Sequence, residues 1–225
     1  MRTDSPLSYV QDYYARDWWR FETFPEITEF MDNFLFEVKG GSVLNVGCGP
    51  QFYDWWGKFG EKPIKYDGID ISQSTHDFLG ADLDERLVSA RAAVIDSGCA
   101  VTLHCADVFD LADTIAGQYD TVVATGFIGT FHDERLDALC ALLGAALKPG
   151  GRMIKLTWHG PHRTPEQQAE KLRYGYDSQD EHEPAPYRDQ IAAAGFRVIR
   201  EELFHPDPKT YFWNVIQGCV FERVE

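Results

Sequence analysis

The chain has 225 residues, the size of one ordinary domain with a full hydrophobic core. Hydrophobic residues make up 44% of it, which excludes a disordered composition. Lys and Arg number 21 against 36 Asp and Glu, for a formal net charge of −15. Such a surface repels phosphate backbones, and no basic patch offsets it, so no nucleic-acid partner is expected.

The first residues, "MRTDSPLSYVQDYYARDWWR", carry acids and no apolar segment, so they do not read as a signal peptide. No apolar run approaches the roughly 20 residues of a membrane span. Five cysteines lie far apart without a CxxC pair. That pattern predicts reduced thiols in the cytoplasm rather than a disulfide frame or a zinc site.

In chain order, residues 8–37 predict two helices separated at Pro25. Their aromatics, among them Tyr13, Tyr14, Trp18 and Trp19, exceed what one packing face needs. Residues 1–38 are therefore expected to form an N-terminal helical cap. From there short apolar runs alternate with helical patterns. "SVLNVG", "IKYDGIDI", "AVTLHCAD", "YDTVVATG" and "RMIKLTW" read as strands. "YDWWGKF" reads as a short helix, and residues 76–97 as a longer one entered near Ser74 or Thr75. Residues 133–147 place Leu136, Leu139, Cys140, Leu143 and Leu147 at helical spacing, and "KPGG" predicts a turn after them.

This alternation predicts an α/β fold, a parallel sheet with helices on both faces. The end differs. "YRDQIAAAGF" is a helix stopped by Gly195. "FRVIREELF" and "YFWNVIQGCVFERV" follow as strands about six residues apart. That gap is too short for a crossover helix, so the last pair is antiparallel. Residues 160–186 form a long connection leaving the carboxyl end of a strand, and read as a lid-like insertion into a domain of residues 39–225.

"VLNVGCGPQFYDWW" joins a strand to a glycine turn. A dinucleotide fingerprint would need a third glycine at 52, where Phe52 stands. Pro50 also removes a backbone donor that a pyrophosphate would use. Both argue against an NAD-linked enzyme. A cofactor without phosphates needs only close backbone approach at Gly47 and Gly49 and an acid for its ribose. Asp70, 21 residues beyond Gly49, ends the second strand and supplies that acid. Asp107 ends the third strand. Its carboxylate can accept from an adenine amino group, and the N–H of Val108 can reach a ring nitrogen.

With "YDGIDIS", "HCADVFDL", "LKPGGRMIKLTW" and "AAAGFRVI", this set resembles the class I S-adenosylmethionine-dependent methyltransferases over roughly residues 40–225. The resemblance implies a Rossmann-like doubly wound seven-stranded sheet with an antiparallel last strand, and S-adenosylmethionine as cofactor with S-adenosylhomocysteine as product. It implies that Gly47, Cys48 and Gly49 pass under the methionine part, that Asp70 and Ile71 hold the adenosine, and that Asp107 and Val108 read adenine. Thr125 and Gly126 would lie beside the sulfonium and the amino acid tail. Asn45 stands where the family usually has an acid, and Gln51 where it usually has glycine. The Gly-Pro form is similar to that of some small-molecule N-methyltransferases acting on nicotinamide and amines.

The reaction implied is methyl transfer to a small-molecule acceptor, through a nitrogen or oxygen nucleophile, by in-line displacement. Its activated cofactor leaves the protein mainly to position the nucleophile and exclude water. A hydroxyl acceptor is helped by a general base. His132, after the fourth strand, and His159, after the fifth, are the candidates. With His162 they lack the spacing of metal ligands, so no metal is expected. Trp18, Trp19, Phe127, Trp158, Tyr174 and Tyr176 are the candidate substrate contacts, since aromatic walls suit a flat or cationic acceptor. A different class, a non-catalytic cofactor-binding or scaffold subunit, is the alternative raised by Asn45 and Gln51.

Overall fold

The structure is a computed structural model that describes residues 25–49, 56–71, 92–131, 133–159, 184–207 and 215–224. Helix α1 spans Pro25–Leu35 and strand β1 Ser42–Val46. Strands β2, Lys65–Asp70, and β3, Ala100–Cys105, follow. A 3-10 turn, Val108–Leu111, leads into the short α2, Ala112–Ile115. β4 is Tyr119–Thr125, followed by a second 3-10 turn, Ile128–Thr130. Then come α3, Asp133–Ala146, β5, Leu147–His159, α4, Pro184–Ala193, β6, Phe196–Phe204, and β7, Val215–Arg223.

The strands form one seven-stranded sheet in the order β3-β2-β1-β4-β5-β7-β6. β3, β2, β1, β4 and β5 pair in parallel. β7 pairs antiparallel with both β5 and β6, as the short final connection requires. The fold is the Rossmann-like seven-stranded arrangement expected from the sequence. The strand order reverses between β1 and β4, so their carboxyl ends open a crevice of the kind that binds ligands in open α/β sheets.

Each face of the sheet has its own core. Ile27, Phe30, Met31, Phe34 and Leu35 of α1 pack with Val43, Val123, Ile154, Leu156 and Val220 on one face. Leu136, Leu139, Cys140 and Leu143 of α3 pack with Val122, Ala124, Met153 and Phe221 on the other. α1 docks closely because β7 carries glycine beneath it. A Cβ on Gly218 would lie 2.2 Å from the Phe34 ring. The part of the N-terminal segment that α1 represents thus shares a core with the sheet. Trp56 joins this core too, with its ring 6.2 Å from that of Tyr66, so it packs the sheet.

One expectation needs correcting. "KPGG" does not end α3 in a turn outside the sheet. β5 begins at Leu147, directly after the helix, and Leu147 pairs with Tyr119 while Arg152 pairs with Thr121. The extra residues of β5 bulge within the ladder, with Gly150 at φ 71°. The helix at 184–193 ends as expected before Gly195, whose φ of 97° suits glycine. Of the helix expected at 76–97, residues 92–96 are described and are helical. Of the "YDWWGKF" helix, residues 53–55 lie outside the described residues, and within 56–59 only Trp56 is helical.

Candidate functional site

β1 ends at Val46, and the chain turns on two glycines, Gly47 at φ 63° and Gly49 at φ 51°. A side chain at Gly47 is excluded twice. Its backbone is left-handed, and a Cβ there would lie 2.6 Å from the Phe127 ring. The turn is tied to β2 by two backbone donors. Cys48 N–H donates to the Ile69 carbonyl at 3.1 Å, and Gly49 N–H donates to Asp70 Oδ2 at 3.0 Å. Asp70 is only 6% exposed. Its carboxylate therefore has a fixed place at the carboxyl end of β2, within the crevice. Burial, and then the charge of Asp70, push the Cys48 thiol well above its ordinary range. Cys48 is a neutral wall of the turn and no thiolate nucleophile.

Ile71, next in the chain, is exposed, and its carbonyl accepts from Cys105 Sγ at 3.8 Å. Asp107 caps the 3-10 turn after β3, its Oδ1 accepting from Phe109 N–H at 3.0 Å. That bond orients the Asp107 carboxylate beside the end of β2, where Ala106 N–H donates to the Asp70 carbonyl at 3.1 Å. Val108 is buried.

At the end of β4, Thr125 is buried and its Oγ1 has no partner among the described residues. Gly126 has φ 68°, and a Cβ there would stand 3.0 Å from the Trp158 ring. Asn45 is fully buried. Its Nδ2 donates to the Tyr66 hydroxyl at 2.7 Å, while Oδ1 has no partner among the described residues. Asn45 and Thr125 follow Val43 and Val123 by two residues, and both valines face the α1-side core. The two-residue period of a strand puts Asn45 and Thr125 on that same face. Two buried oxygens without a partner among the described residues thus sit at the carboxyl ends of adjacent strands, an arrangement that a ligand or a water would complete.

Phe127 is half-buried and packs edge-on against Phe131, ring centroids 5.0 Å apart. Trp158 is 9% exposed and belongs to the α1-side core. His159, 1% exposed, lies on the opposite face, its ring 6.1 Å from Tyr187 of α4 and nearly perpendicular to it. The structure thus brings Asn45, Gly47, Cys48, Gly49, Asp70, Ile71, Asp107, Val108, Thr125, Gly126 and Phe127 to one edge of the sheet. It sets the side chains of Trp158 and His159 on opposite faces of β5. Trp18, Trp19, His132, Tyr174 and Tyr176 lie outside the described residues.

Two neighbours of the site are not evident in the sequence. Tyr66 meets Asn45 only because β1 and β2 pair with Val43 opposite Tyr66. Tyr187 reaches the β4 exit from α4. The one available signal for a polar cluster here is a lysine amid the apolar run "RMIKLTW".

Residues 18–201 match the methyltransferase domain family, and the chain belongs to that family. Among solved structures it is similar in fold to the N-methyltransferase NodS from Bradyrhizobium japonicum WM9 in complex with S-adenosyl-L-homocysteine. The two are 12% identical over 97% of each chain, with a TM-score of 0.64. It is similar to an S-adenosylmethionine-dependent methyltransferase from Mesorhizobium loti, at 18% identity over 83% of this chain and 93% of that one, TM-score 0.56. It is also similar to the [4+2]-cyclase SpnF, at 15% identity over 86% and 80%, TM-score 0.60. No curated protein sequence matches the chain. The chain is thus a methyltransferase by family, and the NodS structure it resembles holds S-adenosyl-L-homocysteine. The left-handed glycines, the fixed Asp70 carboxylate and the orphaned oxygens of Asn45 and Thr125 fit that ligand.

Proposed function

We propose that the protein transfers the methyl group of S-adenosylmethionine to a small-molecule acceptor through a nitrogen or oxygen nucleophile. The observation that carries the placement of the cofactor is the bond from Gly49 N–H to Asp70 Oδ2. It locks the glycine turn and the ribose acid into one unit. In this reading Gly47, Cys48 and Gly49 give close backbone approach, and Asp70 accepts from the ribose hydroxyls. Ile71 packs against adenine, and Asp107 with Val108 reads its edge. Asn45 Oδ1 and Thr125 Oγ1 accept from the ammonium of the amino acid tail, with Gly126 beside them. When bound, the cofactor supplies a methyl group already activated on a sulfonium. The chain's own residues then orient the acceptor and keep water out.

Phe127 and Trp158 flank Gly126, and are assigned to the acceptor together with Trp18, Trp19, Tyr174 and Tyr176. His132 is the first candidate base for a hydroxyl acceptor and His159 the second. Residues 1–38 are assigned as cap and 160–186 as lid of the 39–225 domain. The free state of all five cysteines supports a reducing compartment, the cytoplasm.

Calorimetry with S-adenosylhomocysteine and with NAD tests the cofactor site, with heat expected for the first alone. A panel of small amines, phenols and carboxylates, incubated with methyl-labelled cofactor, tests transfer. Binding without transfer to any acceptor, including larger ones, would instead favour the non-catalytic subunit.

A further inference from the structure

β5 carries a lysine where the residues beside it are apolar. Lys155 has no exposed surface. Its ammonium donates to Gln217 Oε1 at 2.5 Å and lies 4.7 Å from the centroid of the Tyr187 ring. A charge in such a place is costly unless it is partnered. Gln217 extends the contact, its Nε2 donating to the Pro184 carbonyl at 3.0 Å and to Glu201 Oε1 at 2.6 Å. Glu201 in turn pairs with Arg188 at 2.7 Å. Lys155 is the centre of a polar cluster that joins β5, β7, β6 and the first turn of α4. Apolar side chains of similar volume often fill such a place at no loss of stability.

Tyr187 connects this cluster to the candidate site. Its hydroxyl donates to the Ile128 carbonyl and reaches the Phe131 carbonyl at 3.5 Å. Those carbonyls belong to the segment leaving β4, residues 127–131. The Phe127 ring at its start lies against Gly47. Gly129 in its middle rests on the Thr157 methyl group, where a Cβ would be 2.9 Å away.

We propose that Lys155 and Tyr187 are positioning residues for methyl transfer: the lysine fixes the tyrosine ring, and the tyrosine hydroxyl holds residues 127–131 against the glycine turn. This rests on the cofactor placement proposed above. The groups facing Lys155 are Tyr187 of α4, Cys140 of α3, Glu201 of β6, and Gln217 and Cys219 of β7. Arg188 stands behind Glu201, and His159 against Tyr187. Burial holds the ammonium down to about 8, with Cys219, Glu201 and Cys140 acting in the other direction. Burial pushes the Cys140 thiol up to about 12 and the Cys219 thiol up to about 11, and raises Tyr187 as well. These three keep their protons between pH 7 and 9 while Lys155 loses its own.

The test is calorimetry of S-adenosylhomocysteine binding to the full chain at pH 7 and pH 9. Lys155→Met and Tyr187→Phe are each expected to weaken binding about threefold to tenfold at pH 7, the worth of one positioning hydrogen bond. The wild type is expected to lose more affinity than Lys155→Met between the two pH values. Lys155→Arg, which stays charged, should follow the Lys155→Met pH response while keeping wild-type affinity at pH 7. Asp70→Ala runs alongside. A loss in Asp70→Ala with wild-type binding and pH response in Lys155→Met and Tyr187→Phe overturns this inference alone. No loss in Asp70→Ala overturns the placement beneath it, and this inference with it. Should Lys155→Met not fold, Tyr187→Phe, which removes one oxygen, decides the matter at pH 7.

Discussion

The backbone N–H of Gly49 and the carboxylate of Asp70 meet at 3.0 Å, joining the turn after β1 to the end of β2. Asp70 thereby shapes the turn, and in the proposed cofactor placement its remaining acceptor capacity serves the ribose. Asp70→Ala should lower S-adenosylhomocysteine affinity at least about tenfold, since a charge-assisted acceptor is worth roughly 1.5–3 kcal/mol. Asp70→Asn, which keeps one oxygen, should fall between the two. Calorimetry measures both, and equal binding by wild type and Asp70→Ala would refute the assignment.

Gly47 and Gly117 share a left-handed backbone, with φ of 63° and 66°. Only Gly47 has a wall in front of it, because nothing lies within 4 Å of a Cβ built on Gly117. Gly117→Ala should cost about 1 kcal/mol of stability, from backbone strain alone. Gly47→Ala should cost about 2–4 kcal/mol, as displacement of Phe127 adds to the strain. Urea unfolding of the two variants separates the terms. Equal losses would mean that Phe127 yields freely.

Asn45 leaves Oδ1 without a partner among the described residues while Nδ2 binds Tyr66. Asn45→Asp places a charge where the cofactor's ammonium is assigned. We expect S-adenosylhomocysteine to bind about threefold to tenfold more tightly, and the free protein to melt lower, because an unpaired buried carboxylate is costly. Unchanged or weaker binding alongside the loss of stability would place the ammonium elsewhere.

Lys155 also makes a stability prediction. Its folded value of about 8 lies below the ordinary 10.5, so folding disfavours its charged form. The resulting penalty is full below pH 8, and is relieved as pH rises from about 8 toward 10.5. Lys155→Met escapes it. At pH 7 the variant should be at least as stable as the wild type, by an amount on the order of 3 kcal/mol at most. The gap should close toward pH 10.5. The buried thiols of Cys140 and Cys219 act in the opposite sense above 9.0, and the charge of Lys155 itself holds both down, so the lysine is read from the change in the gap between pH 7 and 9, where both thiols keep their protons. A gap independent of pH, read by chemical denaturation, would show that Lys155 does not titrate in the fold. A variant more stable yet weaker in binding is the trade-off expected of a positioning charge.

Much of this was legible in the amino-acid sequence. The apolar runs ending at Val46, Asp70 and Thr125 marked β1, β2 and β4, because strands buried on both faces leave continuous hydrophobic segments. The short step from Phe204 to the last strand marked the antiparallel end. What escaped depends on pairing. Nothing near Asn45 in sequence indicates Tyr66, and only the register of β1 on β2 brings them together. Lys155 stands out as a lysine in an apolar run, but its partners Gln217 and Tyr187 come from β7 and α4, far along the chain. "KPGG" carries genuine turn chemistry, yet the pairing of Leu147 with Tyr119 draws it into β5 as a bulge.

The contact of Phe34 with Gly218 bears on how the chain acquires its shape. β7 lies between β5 and β6 although it follows both in the sequence, so the sheet has a gap until that strand arrives. α1, the first helix described, rests its ring on this late strand. During synthesis α1 emerges next to β1 but long before β7, so Phe34 lacks this part of its seat until the last strand arrives. Contacts of such long sequence separation slow folding and lengthen the interval in which aggregation competes.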